Sequence, residues 1–339
     1  MTKWLNKITN IGDSTVSNII QDNMIEYFDW AIVDAGGFTN TSIPTVGHYG
    51  GDKHKLRLVD DPRYTSGQVW EGFRSNWVWQ SGLSITDQPK TLIKIKPDAV
   101  TYPNASNYPG VSGVFVGGAF QPASGVGTYA YHIDYPNGRV VFDTAIDTTS
   151  SVTAEFSHKW AKVTKANDNF FREIQYRSQR ADGDFLMEGS GDWSQLADTR
   201  LQLPVLAVEV VKRRSLEPYA LGGLTHFVNT DVLFHVLAED DYTRDKLLDI
   251  VSLQEDRVVR LFNSDLIGRS GVFPLDYRGM TNKGAKMYPD LIKEVADGGF
   301  RYDYGGGKLQ LQDAKVQTSE AMSPNLYHGI VRMNTELIM

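Results

Sequence analysis

From about Lys53 to Trp160 the chain alternates apolar and polar residues, a pattern that leaves room for little besides short antiparallel strands. The runs "KHKLRLV", "TLIKIK", "GVFVGGAFQP", "TYAYHIDYPNGRVVFD" and "SSVTAEFSHKWAKV" are rich in β-branched and aromatic residues, with turn residues between them. Two hairpins are specified, because Gly117-Gly118 and Pro136-Asn137-Gly138 supply the positive φ angles that tight turns require. Strands this short at this spacing predict an antiparallel, sandwich-like domain over 51–165.

Upstream lies an N-terminal segment, 1–50, in which Val16, Ile19, Ile20, Met24 (or Ile25) and Phe28 recur at steps of three and four. Asp13 or Ser14 stands ready as N-cap and Gly36-Gly37 as stop, which predicts an amphipathic helix of about five turns. Its apolar stripe must lie on its own domain or on a neighbouring subunit. Residues 166–203 are polar, hold one candidate short helix after Asp168, and read as a linker.

Beyond it, 205–214 and 225–238 read as strands. In the second, Val232, Phe234 and Val236 share one face, while Leu233, His235 and Leu237 share the other, so burial on both sides is expected. Leu247, Leu248, Val251, Val258, Val259 and Phe262 then follow at helical spacing, predicting a helix that reaches about Phe262. An irregular stretch, 264–307, contains a short helical pattern, "YPDLIKEVAD", and two closing strands follow, "GKLQLQDAKVQTSEAM" and "NLYHGIVRMNTELIM". Residues 204–339 thus predict a small mixed sheet with a flanking helix, and the fold class is α+β.

A chain of 339 residues predicts two or three units, each with its own core. No run nears the 18 apolar residues of a membrane span, and "MTKWLNKITNIGD" has neither the apolar core nor the cleavage site of a signal peptide. The absence of cysteine excludes disulfides and thiolate metal sites. With Lys+Arg 34 against Asp+Glu 41, the formal charge of −7 argues against tight nucleic-acid binding but permits passing contact with DNA.

The acids Glu239, Asp240 and Asp241 fall at the junction of strand and helix, where carboxylates both cap helices and bind metals. Capping by Asp240 and Asp241 is the better reading, since no His-x-x-x-His, His-Glu or paired-Asp motif supplies converging ligands. Asp240 also precedes Arg244 by one helical turn. The seven histidines are scattered, although His226 and His235 could approach one another on strands. "YGGGKLQL" precedes a strand and lacks the Lys-Ser/Thr element of a phosphate loop, and no serine sits in a Gly-x-Ser-x-Gly elbow. Trp70, Phe73, Trp77 and Trp79 suit a packed core better than a sugar platform. No catalytic residue, cofactor or metal site is expected. Candidate interface residues are Lys212, Arg213 and Arg214 at a strand end, with Phe273, Tyr277 and Tyr288 as aromatic anchors on the long loop.

The run "LPVLAVEVVKRRSLEPYALGGLTHFVNTDVLFHVLAEDDYTRDKLLDIVSLQEDRVVRLFN" (203–263), with the closing "YHGIVRMNTELI", resembles neck and tail-terminator-like virion proteins of contractile-tailed bacteriophages. The segment "YHIDYPNGRVVFDTAIDTTSSVTAEFSHKWAKV" is similar to hairpin modules of phage structural proteins. The resemblance covers about a third of the chain and implies a non-enzymatic virion protein, assembled in the host cytoplasm. It implies a homo-oligomeric ring, usually a hexamer, at the head–tail junction. Expected partners are further copies, adjacent neck, connector, tail-tube or sheath proteins, and double-stranded DNA in passage, with no membrane. Another tail or baseplate component, or a glycan-binding β-module, is the alternative.

Overall fold

The structure, a computed structural model, describes residues 12–41, 53–80, 113–121, 128–168, 203–211, 215–218, 226–263, 274–282, 287–298, 305–318 and 326–338. Among the described residues the fold is mixed α+β, built mostly of antiparallel strands with three helices. "TLIKIK", most of the 166–203 segment and "ALGG" lie outside the described residues.

Among the described residues the alternating region, with residues 38–41, forms two four-stranded sheets. One has the order β1 (Phe38–Thr41), β8 (Val152–Lys159), β4 (Gly113–Val116), β5 (Ala119–Gln121); the other runs β2 (Arg57–Leu58), β3 (Val69–Glu71), β7 (Arg139–Phe142), β6 (Tyr131–Asp134). Both expected hairpins form, with Gly117 and Gly118 joining β4 to β5 and Gly138 opening β7, all three at positive φ. The inward faces meet in a core that includes Trp70, Trp77, Phe142 and Phe156, and Trp77 is fully buried, stacked on Phe156 with centroids 4.2 Å apart.

"SSVTAEFSHKWAKV" is two strands. At Trp160–Ala161 the chain leaves β8 and enters β9 (Lys162–Lys165), which pairs in parallel with β10 (Val205–Val210). A seven-stranded mixed sheet follows, in the order β13 (Val258–Phe262), β14 (Gly305–Thr318), β15 (Tyr327–Ile338), β12 (His226–Ala238), β10, β9, with β11 (Ser215–Pro218) also on β12.

Helix α1 (Gly12–Asp34) lies on this sheet, so its stripe is covered within the chain: Ile19, Ile20, Met24 and Phe28 share a core with Val232, Phe234 and Val236 of β12. Phe28 meets Phe234 edge-on at 5.2 Å. Gly36, at positive φ, follows the helix's end as expected. Another side of α1 faces the sandwich, where Lys159 Nζ and Gln80 Nε2 both donate to Asp29 Oδ2, at 2.5 and 2.6 Å, and Trp30 meets Trp79 edge-on. One helix therefore ties the two β-structures together.

Helix α2 (Asp241–Ser252) buries Leu247, Leu248 and Val251 under the sheet's inner face. It stops ten residues short of the expected end at Phe262. Gln254 and Glu255 interrupt the apolar stripe one turn after Val251, and Asp256 at φ 65 turns the chain into β13. The expected helix in "YPDLIKEVAD" forms as α3 (Tyr288–Gly298) and packs on β13. No helix among the described residues is long and apolar enough to cross a membrane.

Candidate assembly surface

Asp240 is the N-cap of α2: its Oδ1 accepts from Thr243 N at 2.7 Å and its Oδ2 from Thr243 Oγ1 at 2.8 Å. Asp241, in the first turn, accepts from Tyr242 N, and Arg244 turns to Asp245 rather than to Asp240. Both oxygens of Asp240 are thereby engaged in ending the strand and starting the helix. Among the described residues no three His, Cys, Asp or Glu side chains gather as metal ligands would.

His226 and His235 lie on the same strand, β12, so they do not meet as neighbours across strands. His235 finds His328 of β15 instead, with Nδ1 and Nε2 3.4 Å apart and the rings parallel, while its Nε2 lies 3.0 Å from Glu209 Oε2. Burial and the adjacent His235 push His328 down to about 4, leaving it neutral near pH 7. The three side chains form a polar ladder across β10, β12 and β15.

Trp70, Phe73, Trp77 and Trp79 are all buried, so their rings face the interior and offer no platform to a sugar. Tyr288 is also an internal residue: its ring packs on Phe262 and Trp30, and burial raises its hydroxyl pKa. The expected anchor to a neighbour thus becomes the hinge pin that seats α3. Tyr277 stands out at 94% exposed beside Arg278, on a turn closed by the Leu275–Thr281 bridge. Lys212, Arg213, Arg214 and Phe273 lie outside the described residues.

The sheet's edge strands are β13 and β9, and its β13 side is closed at one end and open at the other. At β13, Asn23 of α1 stands in for a missing strand: its Nδ2 donates to Phe262 O at 2.7 Å and its Oδ1 accepts from Phe262 N at 3.0 Å. That end is closed. β14 runs on past the start of β13, which pairs with it only from Gly305 to Gln310, with Arg257 and Asp256 reaching Leu311. Lys315 to Thr318 pair with β15 on one side, and no described strand lies on the other.

Val316 sits opposite the fully buried Val331, on the core face of the sheet, yet is 48% exposed. The apolar layer thus runs out to an edge that no described strand covers. A bulge between Gln312 and Lys315, with Asp313 at φ 44, and the Lys315 charge restrict pairing to the last residues of the strand. Sequence reading did not single out Val316; the alternation in "AKVQT" marks a strand but not which of its sides is paired. The chain matches no protein-family model, and no curated protein matches it.

Proposed function

We propose that the protein is a non-enzymatic structural subunit of a tailed-bacteriophage virion that assembles with its own copies into a ring, usually a hexamer, at the head–tail junction. In that place it joins connector to tail and lines the passage for DNA. The open β14 edge at Lys315–Thr318, with Val316 exposed at the end of the core layer, carries this reading. An unpaired edge is matched by another chain or blunted, and a contact between two different faces of identical subunits closes into a ring when its rotation divides the circle. The two stretches that resemble neck proteins, 203–263 and the closing strand, supply β10, β11, β12, β13 and β15 of one sheet and the helix α2 packed on it. A formal charge of −7 suits a wall along which DNA slides without sticking.

Mass photometry of the purified protein, alone and with adjacent neck proteins, should show a discrete multiple of the chain mass. Val316→Lys should keep the melting temperature and lose the oligomer, because a charge at an open edge opposes pairing. A monomer under every condition counts against the ring, and a full oligomer from Val316→Lys removes this edge from the contact.

A further inference from the structure

Three acids follow one another along α1, Asp22, Glu26 and Asp29, at steps of four and three, so they lie a helical turn apart on one side. Two lysines meet the outer pair. Lys165 Nζ of β9 is 2.6 Å from Asp22 Oδ1, and Lys159 Nζ of β8 is 2.5 Å from Asp29 Oδ2, which also accepts from Gln80. Lys162 of β9 has Asp168 and Lys159 as its charged neighbours. Glu26, between the two pairs, forms no ion pair with any described residue; its Oε2 accepts the Trp30 Nε1–H at 3.0 Å.

Trp30 is where the elements meet. Its ring stands edge-on to Trp79 of the sandwich at 5.6 Å and lies against Tyr288 of α3 at 6.4 Å, while Tyr288 packs on Phe262 of β13. Glu26 therefore holds the ring on which both the sandwich and α3 are seated. An uncharged carboxyl suits that place, because it accepts from Trp30 and adds no charge beside Asp29. An ionised one sets a second negative charge against the single Lys159, with Asp22 a turn behind it and Tyr288 and Tyr27 held protonated by burial nearby. Burial and Asp29 accordingly push the Glu26 carboxyl up to about 7. The side chain is only partly buried, so solvent can take its proton.

We propose that Glu26 is a proton-controlled latch: neutral, it keeps Trp30, Trp79 and Tyr288 in one closed seam, and ionised, it loosens that seam between α1, the sandwich and α3. The apolar side of α1, with Ile19, Ile20, Met24 and Phe28, lies in the core of the seven-stranded sheet and stays there. The chain crosses between the two β-structures at Gly36–Gly37 and at Trp160–Ala161, where Trp160 N donates to Gly37 O at 2.9 Å, and these crossings form the hinge. The acid has a higher pKa in the closed seam than in the open one, so closure is favoured at low pH and weakens as pH rises through about 7. The latch is separate from the β14 edge and does not depend on ring formation.

Amide exchange of the full-length protein, read by peptide mass spectrometry at pH 6 and pH 8 and corrected for the intrinsic rate, tests this. Protection of 78–80 and 288–292 should fall about tenfold between the two pH values, while 232–236 of β12 keeps its protection. Glu26→Gln stays uncharged and still accepts from Trp30, so its two segments should keep their pH 6 protection at pH 8. The same fall in Glu26→Gln overturns the proposal, as does protection in the parent that is equal at both pH values. A fall shared by β12 also overturns it, since the whole fold would then be yielding rather than the seam. If Glu26→Gln fails to fold, a carboxyl carbon-13 titration of the parent decides, and a Glu26 midpoint below about pH 5 sinks the latch.

Discussion

Asp240 shows how one side chain can look catalytic and act structurally. A carboxylate beside two others at the mouth of a sheet is a common arrangement for metal chemistry, but here its oxygens are both engaged by Thr243. Asp240→Ala should therefore lower stability by about 0.5–2 kcal/mol, whereas Asp240→Asn, which keeps an oxygen acceptor, should lose only a few tenths. Urea unfolding midpoints check this. Equal losses in the two variants would mean that the negative charge, not the cap, matters at this position. The cap was legible because its signal is local, a polar residue followed by an apolar stripe. Asn23 was not legible: its partner, Phe262, is separated from it by 239 positions, and no local pattern announces such a bond.

Among the elements, the strands and their turns follow local chemistry closely, since Gly117, Gly118 and Gly138 occupy the conformations that their hairpins demand. α2 shows the opposite case. Val258, Val259 and Phe262 fit a helical period by number, but polar Gln254 and Glu255 break the stripe, and the β-branched pair goes to a strand that β14 can receive. The strand so formed has an outer edge, and Asn23 of α1 covers it at Phe262. Asn23→Ala leaves the Phe262 N–H and C=O without their partner and should cost about 1–3 kcal/mol. Faster amide exchange at Phe262, together with a lower urea midpoint, is the expected result. Unchanged exchange would mean that α3, not Asn23, protects this edge.

For the whole molecule, α1 acts as a strap, with one face in the core of the seven-stranded sheet and another against the sandwich at Asp29, Lys159 and Gln80. Its Glu26 lies beside this node, where burial and the neighbouring Asp29 push it up to about 7 from an ordinary 4.5. The stability contributed by protonated Glu26 is present below pH 4.5 and is lost as pH rises through about 7. His158 and His328 run the other way: held neutral, at about 3 and about 4, they contribute stability above pH 6.5 that is lost as pH falls toward those values. Two histidines outweigh one Glu26 at acid pH, so thermal melts should rise with pH and peak near about pH 7. Glu26→Gln should flatten the alkaline side, a gain over the parent at pH 8 of roughly 1–3 kcal/mol. An unchanged alkaline slope would show that Glu26 is ionised at little cost.

The sequence by itself determined the α+β class, the paired strands with their turns, the N-terminal helix and the Asp240 cap, because each depends on periodicity or on atoms a few residues apart. Only the tertiary structure decided that α1 lies on its own chain's sheet, that Tyr288 faces inward, that β14 ends at an edge no described strand covers and that Glu26, Trp30, Trp79 and Tyr288 share a seam. Those outcomes depend on which distant surfaces bury one another, and neither register nor burial across a hundred residues leaves a trace in local spacing.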